Sequence, residues 1–172
     1  MDTVSGPDRH PEETLTEMVR QHQTALLRLC YAYLHDRTMA EDAVQETFLK
    51  AYQGLSRFRG EAETKTWLSR IAVNTCRDAR RSAWFRRVNR AVTPEMLPER
   101  ASECARQDDE ITSAVMNLPI RLRECVLLYY FQEMNTVEIA SALGVSQQAV
   151  SGRLKRAKEK LRREMERSGR DG

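Results

Sequence analysis

The chain has little of what covalent or metal-based sites are built from. Its four cysteines, Cys30, Cys76, Cys104 and Cys125, stand far apart, with no C-x-x-C pair and no histidine at ligand spacing. That excludes a zinc ribbon and offers no disulfide framework. Cys30, Cys76 and Cys125 adjoin apolar helical stripes, where a reduced thiol packs as a small hydrophobe. Cys104, in a polar stretch, is the one thiol whose setting leaves redox sensing open. The three histidines, His10, His22 and His35, fall in the N-terminal tail or the first helix with no nucleophile constellation near them, which argues against an enzyme. No cofactor-binding motif occurs, and none is expected to be needed. No apolar run approaches the roughly 18 residues of a membrane span. The N-terminal MDTVSGPDRHPEE lacks the apolar core of a secretory signal, so a cytoplasmic location without membrane insertion is expected. With only seven Gly and five Pro in 172 residues, long stretches run without a helix breaker.

What is present is a helix-friendly mixture of 41% apolar and 31% charged residues, enough for one medium or two small domains. The net charge of +3 is modest but unevenly spread. Basic residues concentrate between Lys65 and Arg90, where eight oppose Asp78 alone, and again between Arg153 and Arg170. Two separated basic surfaces imply two contacts with a polyanion.

The first lies in FRGEAETKTWLSRIAVNTCRDARR, from Phe58 to Arg81. Trp67, Leu68, Ile71, Ala72, Thr75 and Ala79 recur at helical spacing as a buried stripe, and Arg70, Asn74, Arg77 and Arg81 stand opposite. Guanidinium groups neutralise phosphates and a planar amide can bond a base edge, so this outward face suits nucleic acid. The preceding loop adds Phe58, Arg59 and Glu61; an aromatic ring beside a basic helix can hold an unstacked base, although Phe58 could equally close a core. Trp84, among Arg81, Arg86 and Arg87, has no assignable role.

Along the chain, residues 1–13 read as a disordered tail. Thr14 with Glu17, and Thr38 with Glu41, predict capping boxes that open two helices. The first buries Leu15, Met18, Val19, Leu26, Leu29 and Tyr33; the second buries Ala40, Val44, Thr47, Phe48, Ala51 and Leu55. The second leaves Asp42, Gln45, Glu46 and Leu49 outward, an acidic patch with an apolar rim that suits either solvent or a protein partner. From Ala91 to Asp109 the periodicity fails among Pro94, Pro98 and acidic residues, which predicts a flexible linker. A short helix with Ile111, Ala114, Val115 and Leu118 follows, then one opened by Pro119 with Leu122, Cys125, Val126, Tyr129 and Tyr130 inward.

NTVEIASALGVSQQAVSGRLKRAKEK, from Asn135 to Lys160, carries a helix-turn-helix pattern. Asn135 or Thr136 caps a helix with Ile139, Ala140 and Leu143 inward, Gly144 ends it, Val145 plugs the turn and Ser146 caps the next. That second helix buries Val150, Leu154, Ala157, Leu161 and Met165. Gln147, Gln148, Ser151 and Lys155 point outward toward base edges, and Arg153, Arg156 and Lys158 toward phosphates. Gly152 costs roughly 1 kcal/mol relative to Ala within a helix, and either lets DNA approach or is a tolerated defect. The fold expected is all-α: a domain over 14–90, a linker over 91–109 and a four-helix domain over 110–168.

FRGEAETKTWLSRIAVN, preceded by AEDAVQETF and followed by LPIRLRECVLLYYF and EIASALGVSQQAVSGRLKRAK, closely resembles the bacterial extracytoplasmic-function sigma factors. The resemblance implies a promoter-specificity subunit of RNA polymerase. By position, Asp42, Gln45, Glu46 and Leu49 would bind the clamp helices of the polymerase's largest subunit. Asn74 would read, and the Phe58–Ala62 loop hold, a flipped base of the melted minus-ten strand, with Arg59, Glu61, Arg70, Arg77 and Arg81 around it. Gln147, Gln148, Ser151, Arg153, Lys155 and Arg156 would meet the minus-thirty-five duplex, and the linker would thread toward the polymerase active centre. The expected partners are core polymerase, promoter DNA and an anti-sigma factor able to hold the chain at the membrane. Ala149, Val150, Ser151 and Gly152 replace the family's usual Thr-Val-Lys-Ser run, which removes a lysine from the recognition helix. No appended sensor domain is expected after Gly172. The rival reading is a homodimeric helix-turn-helix regulator of duplex operators, which leaves the Arg70, Asn74, Arg77 and Arg81 face without a purpose.

Overall fold

A computed structural model describes residues 10–58, 60, 63–89 and 108–169. Helix α1 spans Pro11–Leu34, α2 Arg37–Gly54 and α3 Thr64–Asn89, with a single 3-10 turn at Leu55–Arg57. Helices α4 (Asp108–Asn117), α5 (Ile120–Phe131), α6 (Thr136–Leu143) and α7 (Gln147–Ser168) follow. The architecture is the expected one of two small all-helical domains, α1–α3 and α4–α7. The tail through residue 9 and the linker expected from Ala91 lie outside the described residues up to 107; Asp108 and Asp109, assigned to that linker, belong to α4.

The first two helix starts differ from expectation. Helix α1 begins at Pro11 after His10, without a side-chain cap, and Thr14 lies inside its first turn. Proline at the first helical position needs no amide partner, and Glu12 and Glu13 meet the positive end of the helix dipole, so together they move the start ahead of the Thr14–Glu17 box. At α2 the cap is Asp36, whose carboxylate accepts from the Met39 amide at 2.8 Å. Glu41, assigned to a capping box with Thr38, pairs instead with Arg37.

The predicted stripes of α2 and α3 largely form the N-terminal core. Ala40, Val44, Phe48, Ala51, Leu68 and Ala72 are buried with Leu26, Leu29 and Tyr33 of α1. Cys30 and Cys76 are fully buried against one another. Hydrogen bonding between them and burial push the Cys76 thiol up, which leaves it protonated and inert.

In the C-terminal domain Asn135 and Glu138 form a complete capping box at α6. Gly144 adopts φ 66°, the left-handed conformation that ends the helix at least cost to glycine. Ser146 caps α7 by accepting from the Ala149 amide at 3.1 Å. Ile139, Ala140, Val150, Leu154 and Ala157 are buried, but Met165 is exposed because α7 outruns the helices that pack on it. Tyr129 and Tyr130, read as inward, are also exposed, as is Ile111. The Tyr129 ring lies edge-on to Tyr130 and beneath the Lys158 ammonium, 5.7 Å from the ring centre, a contact that ties α5 to α7 at the surface.

The two domains pack against one another, α1 on α5 and α3 on α6. The Gln132 side-chain amide donates to the Ala25 carbonyl of α1 at 2.9 Å. Glu124 of α5, 1% exposed, accepts from the Tyr33 hydroxyl at 2.7 Å and from Arg77 Nε and Nη2, each at 2.6 Å.

Candidate nucleic-acid interface

The end of α2, the 3-10 turn and α3 enclose an open hollow of about 360 Å³, lined by Lys50, Gly54, Arg57, Phe58, Trp67, Ile71 and Asn74. Phe58 and Trp67 stack with ring centres 4.4 Å apart and planes 24° from parallel, both half-buried. Each ring therefore keeps surface available while supporting the other. A side chain on Gly54 would already touch Trp67, at 3.5 Å, so α2 ends directly against the indole. Asn74 presents its amide at the exposed rim. The size falls within the range of about 300–1,000 Å³ common for ligand sites, and its composition is one apolar wall, two cations and one amide. Phe58 and Asn74 were singled out in the sequence; Lys50, Arg57 and Trp67 as wall residues were not. Their signal was proximity across α2 and α3, which spacing along one helix does not reveal. Arg59 and Glu61 lie outside the described residues.

Of the outward basic row, Arg70, Asn74 and Arg81 are exposed as expected. Arg77 is not. Its side chain, 38% exposed, makes a bidentate pair with Glu124, while Nη1 donates to Asn74 Oδ1 at 3.3 Å. The hydrogen bond to Glu124 raises the Arg77 pKa further above its ordinary value, and burial together with Glu124 pushes the Tyr33 phenol up. The helix spacing that placed Arg77 outward was correct for α3 alone; the other domain covers that side.

Asp42, Gln45, Glu46 and Leu49 all face solvent on α2. Leu49 and Tyr52, 57% and 40% exposed, sit one turn apart and enlarge the apolar rim, and Glu46 pairs with Lys50 at 3.0 Å.

On α7, Gln148, Ser151, Lys155 and Arg156 are exposed, with Arg156 Nε donating to the Gly152 carbonyl at 3.2 Å. The Gln147 amide donates to Thr136 Oγ1 at 2.9 Å and bridges α7 to α6. Arg153 is half-buried and interacts with Cys125 of α5. Among the described residues a Cβ at Gly152 would meet only Arg156 Nη2, at 3.9 Å, so no packing among them requires glycine there. Among the described residues no group of acidic, histidine or cysteine side chains could hold a metal, and no helix is long and apolar enough to cross a membrane.

The order of these elements matches two family models, Sigma-70 region 2 over residues 18–86 and Sigma-70, region 4 over residues 108–161. The chain thus has the two-domain sigma-70 architecture. It is 33% identical over 151 residues to the ECF RNA polymerase sigma factor SigM of Mycobacterium tuberculosis, covering 86% of this chain and 74% of SigM. It is 29% identical over 172 residues to the RNA polymerase sigma-H factor of Pseudomonas aeruginosa, covering 92% and 89%. Among solved structures, CnrH in complex with the cytosolic domain of CnrY superimposes with a TM-score of 0.69 at 26% identity, over 90% of this chain and 89% of CnrH. RpoE of Bartonella quintana, solved with the anti-sigma factor NepR, shares the fold with a TM-score of 0.73 at 20% identity, over 90% and 98%. The chain belongs to the extracytoplasmic-function sigma factors, which direct RNA polymerase to promoters.

Proposed function

We propose that the chain divides promoter recognition between its two domains, capturing a melted minus-ten base with the first and reading the minus-thirty-five duplex with the second. The observation that carries this reading is the hollow between α2 and α3, where a stacked aromatic pair, two cations and the Asn74 amide converge. Extruding a base costs a few kcal/mol. Stacking on an aromatic side chain returns about 1–3 kcal/mol and a well-placed amide a similar amount, enough to hold the base once polymerase adds its own contacts. Arg70 and Arg81 neutralise flanking phosphates on the same helix face. Arg59, Glu61 and Arg77 belong to the same surface by sequence, Arg77 after its release from Glu124.

The second domain lays the first turns of α7 in the major groove, with Gln148 and Ser151 at base edges and Lys155 and Arg156 against phosphates. Gln147 and Arg153 act first by fixing α7 on the domain. The missing side chain at Gly152 lets the backbone come close to the duplex. Asp42, Gln45, Glu46 and Leu49, extended by Tyr52, dock on the clamp helices of core polymerase. An anti-sigma partner is inferred from the likeness to RpoE, solved with the anti-sigma factor NepR, and to CnrH, solved with part of CnrY. The two units are proposed to be the α1–α3 and α4–α7 domains, the second beginning at Asp108, with the linker between them crossing the polymerase.

The test places 2-aminopurine singly along the non-template strand of a promoter bound by core polymerase and this protein. One position should brighten sharply on open-complex formation and respond to Asn74→Ala. Uniform brightening unaffected by that change would overturn the pocket reading.

A further inference from the structure

Glu124 is the acidic side chain most completely withdrawn from water among the described residues, and every donor that satisfies it comes from the other domain. Tyr33 reaches it from α1 and Arg77 from α3, so both carboxylate oxygens are bonded only while the domains touch. A buried carboxylate without such partners is costly. The guanidinium fork that grips it is equally suited to a phosphate, and Arg77 stands on the face assigned above to the melted strand.

We propose that Glu124 is an internal latch: its carboxylate occupies the Arg77 guanidinium in place of a nucleic-acid phosphate and holds the two domains together over part of the strand-binding face. This rests on the reading of that face as a single-strand site. Opening exchanges one anion for another at Arg77 and leaves Glu124 hydrated on the surface of α5, so a polyanion and domain separation favour each other. The Gln132–Ala25 bond also spans the interface but carries no charge and does not touch the strand face.

The full chain tests this with two readouts, small-angle scattering for compactness and fluorescence anisotropy with a labelled mixed-sequence 12-nucleotide single strand. Glu124→Gln keeps the shape of the side chain and removes the charge that grips Arg77. It should expand the particle and tighten strand binding roughly tenfold, the scale of a lost charge-assisted pair. Tyr33→Phe changes no charge and should shift both readouts in the same direction by about threefold or less. Adding Arg77→Ala to Glu124→Gln should abolish the gain, which separates release of Arg77 from a general change in net charge. Circular dichroism should find helicity retained in each variant.

A Glu124→Gln protein as compact as the wild type overturns the latch, and so does a gain in affinity that survives loss of Arg77. Expansion with no strand binding by any variant overturns the strand-site reading and the latch with it, an outcome distinct from a latch that fails alone.

Discussion

Replacing Asn74 by alanine separates reading from folding, because the two effects have opposite signs. The side chain is exposed at the rim of the α2–α3 hollow, and its contact with a protein donor is a 3.3 Å hydrogen bond from Arg77. Losing so long and solvated a contact costs little, and alanine is the better helix former by several tenths of a kcal/mol. Thermal stability should therefore hold or rise slightly. The amide's bonds to a base edge, worth about 1–3 kcal/mol, translate into roughly 5- to 160-fold fewer open complexes at 25 °C. The assay is permanganate reactivity of unpaired thymines at a promoter, run beside a core-polymerase binding measurement on the same proteins. Core affinity should stay within twofold, since Asp42, Gln45, Glu46 and Leu49 lie on another helix. Loss of core binding in parallel with melting would make Asn74 structural, and unchanged melting would remove it from base reading.

Gln148→Ala should flatten discrimination at one or two minus-thirty-five positions by about 1–3 kcal/mol per base pair, measured by competition among substituted duplexes. Equal preferences before and after the change would count against base reading there. Gly152→Ala should raise the melting free energy by about 0.5–1 kcal/mol, because the added methyl meets only open space and the end of Arg156. The same change should weaken binding to the minus-thirty-five duplex; unaltered DNA affinity would leave the glycine a tolerated defect. His22 has its pKa lowered from 6.5, first by burial and then by Lys65. The folded chain then binds fewer protons there than the unfolded chain, so the His22 contribution is complete above pH 6.5 and is lost as the pH falls through the lower folded value. Denaturant titrations between pH 7.5 and 5 should show that loss, and His22→Gln should reduce its slope.

Much of this is legible in the sequence, and for local reasons. The Asn135 cap, Gly144 and the Ser146 cap are specified by backbone geometry that few other residues satisfy, so one sequence suffices to place them. The stripes of α2 and α3 follow from helical spacing alone. What escaped was set by contacts between distant segments. Arg77 belongs to an outward row on its own helix and is turned inward by Glu124, forty-seven residues away. Trp67 looked like core and Phe58 ambiguous; the structure stacks them as one wall of a hollow. Tyr129 and Tyr130 continue the apolar pattern of α5 but lie on its exposed side, where Lys158 of α7 reaches over the Tyr129 ring. The early start of α1 was missed because the Thr14–Glu17 pattern competed with a proline and two acidic residues just ahead of it.

The central claim is that this chain gives RNA polymerase its promoter choice through two physically different readings. Run-off transcription from fragmented DNA of the source genome, with purified bacterial core polymerase in the presence and absence of the protein, tests it most directly. The account predicts discrete, protein-dependent start sites that share two upstream elements, lost at the nearer element with Asn74→Ala and altered at the farther one with Gln148→Ala. No transcript, together with tight binding of symmetric duplex sites by a dimer of the chain alone, would contradict it.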